Sequence, residues 1–180
     1  MSMKSLVELL RPPNSPVETL KDQDWAAIER RIGHLPEDYR AFLQTFGTGC
    51  INDFVWIFNP LAGNTFLNLF TQGDAILNAL RELRNAGESI PFGLYPEGGG
   101  LLPFGKTDNG DTLFWLTEGD PIRWPIVVNA SRDPTFETFK CSLTTFLVEI
   151  LTQKIHCSVF PQDFPSGAAN FHPGASRDLH

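Results

Sequence analysis

The pattern most suggestive of chemistry in this 180-residue chain is Gly100-Leu101-Leu102-Pro103-Phe104-Gly105-Lys106-Thr107, which fits the phosphate-loop expression G-x-x-x-x-G-K-[ST]. A phosphate loop must open a helix, because free N-terminal amides hold the anion. Here Thr107 runs into Asp108-Asn109-Gly110-Asp111, a turn sequence, and Pro103 removes an amide that the cradle needs. Two carboxylates beside the site would also repel a polyphosphate. The stretch therefore reads as a strand entering a hairpin, and no nucleotide or other cofactor is expected. Asp108, Asn109 and Asp111 also resemble the start of a calcium loop, but the twelfth position, which must be a bidentate glutamate, is Gly119.

The remaining reactive residues form no set. His34 falls between helices, His156-Cys157 follows the final helix without a second pair at zinc spacing, and His172 and His180 lie near the C-terminus. No G-x-S-x-G nucleophile elbow occurs. Neither a metal site nor catalytic residues are expected. Cys50, Cys141 and Cys157 are odd in number and far apart, which argues against a disulfide framework. The N-terminal Met1–Pro13 stretch is a poor signal peptide, and no apolar run approaches membrane-span length. A reducing cytoplasm is the expected compartment.

Charge placement is more informative. The formal net charge is −7, and from Glu88 to Asp120 six acids (Glu88, Glu97, Asp108, Asp111, Glu118, Asp120) face one base, Lys106, so that segment is −6 + 1 = −5. Nucleic-acid binding needs the opposite sign. An acidic face suits a basic protein partner through steering and complementarity; a merely solvated set of loops is the bland alternative. Among the aromatics, Trp115 in Thr112-Leu113-Phe114-Trp115-Leu116 must bury one face. Trp56 lies in a strand-like run. Trp124, between Arg123 and Pro125, is either edge packing or an exposed interface anchor.

The elements that position these residues follow from periodicity. Leu6, Val7, Leu9 and Leu10 predict a short helix stopped by Pro12-Pro13. Asp22 reads as the N-cap of a helix carrying Trp25, Ile28 and Ile32, stopped by Gly33. Pro36 reads as a first helical position, before Tyr39, Phe42, Leu43 and Phe46. Cys50–Phe58 reads as one strand, and Asp74–Ala86 as a helix with Ile76, Leu77, Leu80 and Leu83 inward. Short apolar runs at Leu101–Phe104, Thr112–Leu116 and Ile126–Val128 predict an antiparallel meander, with a type I′ turn at Asn109-Gly110. A helix from near Ser142 carries Leu143, Phe146, Leu147, Ile150 and Leu151. Helices first, strands grouped in the middle and a helix last give a single α+β domain, a twisted antiparallel meander flanked by N-terminal helices and a C-terminal helix. Residues 1–19 read as a helix and linker, 20–160 as the domain, and 161–180, rich in Gly, Pro, Ser and Ala, as a flexible or surface-draped tail.

Two blocks carry a family resemblance. The first is Trp25 and Glu29, then Leu35-Pro36-Glu37-Asp38-Tyr39, Phe42-Leu43 and Phe46-Gly47-Thr48-Gly49. The second is Pro103-Phe104-Gly105, Gly110-Asp111 and Phe114-Trp115-Leu116, with a later leucine-x-x-phenylalanine-leucine helix from Leu143. Together they resemble the SUKH superfamily, which includes Smi/Knr-type cell-wall regulators and bacterial immunity proteins. Phe46-Gly47 stands where the family often has Asn-Gly, and the stretch around Leu61–Asn85 reads as an insertion. The resemblance implies a helix-flanked antiparallel sheet, no catalytic residues, and function by protein contact.

The resulting expectation is a non-catalytic cytoplasmic immunity protein. It would neutralise a toxin, a basic nuclease domain being a natural match, by stoichiometric binding through Glu97, Asp108, Asp111, Glu118 and Asp120, with Trp124 as apolar anchor. A regulatory scaffold without a toxin is the alternative, and a small-ligand binder or enzyme the remote one. No nucleic acid or membrane is expected as partner.

Overall fold

In the computed structural model, residues 3–174 are described. Helix α1 (Met3–Leu10) buries Leu6 and Leu10. Helix α2 spans Asp22–Ile32, one residue earlier than an Asp22 cap would start it; Lys21 is the cap, and its backbone N–H donates to Asp24 Oδ2 at 2.8 Å. Helix α3 (Glu37–Phe46) likewise begins just after Pro36, which serves as its cap, and buries Tyr39, Phe42, Leu43 and Phe46.

The run predicted as one strand is a hairpin, β1 (Gly49–Ile51) and β2 (Val55–Ile57). Asn52 and Asp53 both take positive φ, a conformation that asparagine and aspartate tolerate better than other L-residues, and this turns the chain. Helix α4 runs Leu69–Asn85, five residues longer at its start than periodicity suggested, because Asn68 caps it by accepting from Phe70 and Thr71 N–H. Leu77 and Leu80 face inward as expected, but Leu83 is exposed.

Strand β3 (Leu101–Thr107) occupies the phosphate-loop look-alike and leads through a hairpin to β4 (Thr112–Leu116). The turn is not type I′: only Gly110 has positive φ, and its N–H donates to Thr107 O at 3.0 Å, as in a three-residue hairpin closed by a left-handed glycine. A register shift between Pro103 and Gly105 accommodates the strand proline. Gly105 is required there, since a Cβ would lie 2.7 Å from the Trp56 carbonyl oxygen of β2. A 3-10 turn (Pro121–Arg123), β5 (Ile126–Asn129), β6 (Phe136–Phe139) and α5 (Leu143–Leu151), capped by Ser142, follow.

By composition the stretch from Pro161 reads as a flexible or surface-draped tail. Its described part instead ends in β7 (Phe171–Pro173), antiparallel to β1, with Phe171 buried against Phe42 and Phe46. One well-placed aromatic outweighs a polar, glycine- and proline-rich composition. Residues 175–180, including His180, lie outside the described residues.

The seven strands form one antiparallel sheet in the order β6-β5-β4-β3-β2-β1-β7, so the fold is α+β. Its first face carries the main core, Ile51, Val55, Ile57, Leu102, Phe104, Leu113, Trp115, Ile126 and Val128, packed with residues of α1, α2, α3 and α5. At the centre Trp115 stacks on Phe104 (4.3 Å) and meets Tyr39 edge-on (4.9 Å), and Tyr39 Oη donates to Phe58 O at 2.6 Å. The second face carries a smaller core, where Leu77 and Leu80 of α4, with Leu94, pack on Leu101, Phe114 and Val127.

Candidate protein-docking face

Residues paired across strands share a face of the sheet. On the second face the registers line up one transverse row: His172, Cys50, Trp56, Lys106, Thr112, Asn129 and Phe136. The row lies toward the β3–β4 turn, and Phe136 at its far end packs against the second core. Trp56, Lys106, Thr112 and Asn129 are half-buried and belong to neither core, while His172 is exposed and Cys50 buried. The alternation in Val55-Trp56-Ile57 determines this: with Val55 and Ile57 committed to the main core, Trp56 must face the other way.

Local contacts fix the row. Trp56 Nε1 donates to Asp108 Oδ1 at 2.7 Å. Lys106 Nζ lies 5.6 Å from the centre of the Phe66 ring. Burial pulls the Lys106 ammonium below the usual lysine range, against the Asp108 carboxylate, which draws it upward. His172 Nε2 stands 3.7 Å from Asp53 Oδ2. The arrangement offers an aromatic surface, a partly dehydrated cation and two carboxylates at a sheet end, the ingredients of a polar-rimmed contact surface.

The residues expected to form one acidic face do not come together. Asp108 and Asp111 sit at the β3–β4 turn, whereas Glu97, Glu118 and Asp120 lie beyond the opposite ends of those strands. The intervening strand separates the groups by roughly 15–20 Å. Asp111 is buried: its carboxylate accepts from Thr107 Oγ1 (2.7 Å) and Ser131 N–H (3.1 Å), so it braces the turn. Trp124 is buried too, its ring 6.2 Å from that of Trp115 and its Nε1 donating to Gly119 O. Neither can serve as a surface contact in this fold.

Glu97 is half-exposed but engaged, accepting two hydrogen bonds from Arg84 (3.2 and 3.0 Å) and one from Leu94 N–H (2.8 Å). These bonds, Arg84 first, hold its carboxyl below the usual carboxylate range. Asp120 is exposed and caps the 3-10 turn by accepting from Ile122 N–H, and Glu118 is exposed. Of the predicted contacts, Asp108 alone touches the open row. Nothing in residue type or spacing marks Asp53, Lys106 and His172 as neighbours of this row, whereas strand alternation by itself places Trp56 on it.

The family-bearing residues have structural work. Trp25 of α2 meets Tyr39 of α3 edge-on at 6.0 Å, and Arg40 pairs with Glu29 at 3.1 Å while lying over the Trp25 ring. Among the described residues no group of three or more His, Cys, Asp or Glu is placed to hold a metal ion, and no helix is long and apolar enough to cross a membrane. None of the three cysteines is in a disulfide.

No curated protein and no solved structure matches the chain significantly. A family model does: SUKH_6, described as SMI1-KNR4 cell-wall, matches residues 22–147, from α2 into α5. With this match covering more than half of the chain, and the helix pair and hairpin it encodes in place, the protein belongs to the SUKH superfamily.

Proposed function

We propose that this chain is a non-catalytic immunity protein of the cytoplasm, which neutralises a cognate toxin domain by one-to-one binding. The observation that carries this reading is the family match, since the SUKH superfamily works by protein contact. The net charge of −7 supports a basic partner, and a nuclease domain, which must itself attract phosphate, has the complementary sign. The half-exposed sheet row around Trp56, with Asp53 and Asp108 at its end, is the proposed contact surface; it replaces the single acidic face.

The test is co-expression with the protein encoded by the neighbouring reading frame. The expected result is rescue of growth together with a 1:1 complex on size exclusion. A neighbour that is not toxic, or a toxin that neither binds nor is silenced, would end the immunity reading. The family's description as SMI1-KNR4 cell-wall supports a second reading, a regulatory scaffold, which expects several partners and no rescue.

A further inference from the structure

The loop between β2 and α4, residues 59–68, is braced by side-chain hydrogen bonds along its length. The Asn59 amide donates to Glu18 O and Thr48 Oγ1, both at 2.9 Å, and its oxygen accepts from Leu61 N–H at 2.9 Å. Gly63 N–H donates to Glu18 Oε1 at 2.8 Å, and Thr48 Oγ1 to Glu18 Oε2 at 2.6 Å. Asn64 accepts from Phe66 N–H, while Asn68 Nδ2 donates to Pro60 O and Ala62 O at 3.1 and 3.0 Å. This scaffold holds Leu61 and Phe66 out in solvent, 43% and 61% exposed. Between Leu61 and α2 lies an open groove of about 270 Å³, floored by Ala27, Ile28, Pro60 and Phe70.

Holding apolar side chains rigid before docking removes the ordering cost that a mobile loop would incur, and buried apolar anchors dominate binding energy. The ionisable groups around the loop and groove include the acids Glu18, Asp24, Asp74 and Asp108 and the bases Lys21, Arg31 and Lys106, 4 against 3. Two of the bases are occupied: Arg31 pairs with Asp74 and lies 3.8 Å from the Phe70 ring centre, and Lys106 lies over Phe66 beside Asp108. The apolar ridge is thus set in a net negative surround, which matches a cationic protein.

We infer that loop 59–68 is the specificity-determining contact for that partner: Phe66 enters an apolar pocket on the basic protein, and the partner seats an aliphatic or aromatic side chain in the groove beside Leu61. The inference rests on the immunity reading. Its test is the affinity of full-length Leu61→Ala, Phe66→Ala and double variants for the product of the neighbouring reading frame, measured by calorimetry beside the unaltered chain. Phe66→Ala is expected to weaken binding about 30-fold, and the double variant further. Thermal unfolding should be unchanged because both side chains are exposed, and Ile122→Ala, at the 64% exposed 3-10 turn, should bind normally. A double variant that binds as tightly as the unaltered chain overturns the loop assignment and leaves the immunity reading standing. If the unaltered chain does not bind, both fall.

Discussion

Tyr39 joins helix to sheet through one hydroxyl, and burial pushes that phenol well above the usual tyrosine range. Removing it in Tyr39→Phe leaves the Phe58 carbonyl without this donor, so a loss of about 1–2 kcal/mol is expected in denaturant titration. The thiols provide a pH-dependent counterpart. Burial pushes Cys157 from 9.0 up to about 12. Between these values the folded chain keeps a proton that the unfolded chain releases, so this group's contribution to stability is intact below pH 9.0 and falls as pH rises toward about 12. The measurable outcome is a shallower alkaline loss of stability in Cys157→Ala than in the unaltered chain. Sequence was informative at this scale where side-chain direction follows from alternation, as for Trp115, and uninformative where a hydrogen bond decides. Nothing in the type or spacing of Asp111 reveals that Thr107 and Ser131 hold it inside the turn, and nothing beside Trp124 reveals Gly119 as its acceptor.

The elements most legible in advance were those with an unbroken apolar stripe or a glycine-marked turn: α3, α5 and the β3–β4 hairpin. Those missed depend on chemistry that periodicity does not record. The β1–β2 turn uses asparagine and aspartate at positive φ inside a run of β-formers, and the first turn of α4 precedes a glycine that resembles a stop. Strand β7 depends on a long-range contact: Phe171 passes over Gly49, where a Cβ would lie 2.4 Å from its Cζ. Gly49→Ala should therefore release β7, raising amide exchange at Phe171 and His172 while β3 and β4 stay protected. The Glu18 carboxylate ties the N-terminal linker to Thr48 and Gly63, so that linker is part of the domain. Glu18→Ala is expected to cost about 1–3 kcal/mol and to loosen residues 59–68 in exchange measurements.

At the scale of the whole molecule, architecture was readable from element order and composition, whereas the functional surface was not, because net charge says nothing about where carboxylates land. Two groups adjacent in sequence are held apart by the length of a strand. Long-range attraction survives such a division better than a local contact does. Association with a basic partner should slow as salt rises from about 50 to 500 mM, as the Debye length contracts, with dissociation changing much less; stopped-flow kinetics would separate the two. The sheet also has a temporal property. Its outermost strand pairs residues 49–51 with residues 171–173, contacts separated by most of the described chain. During synthesis β1 has no neighbour on that side until Phe171 has left the ribosome, and an unpaired strand edge invites pairing with other chains. Closing that edge thus waits on residues made long after β1 itself, and the nascent protein passes through a stage at which its sheet is open to a stranger's strand.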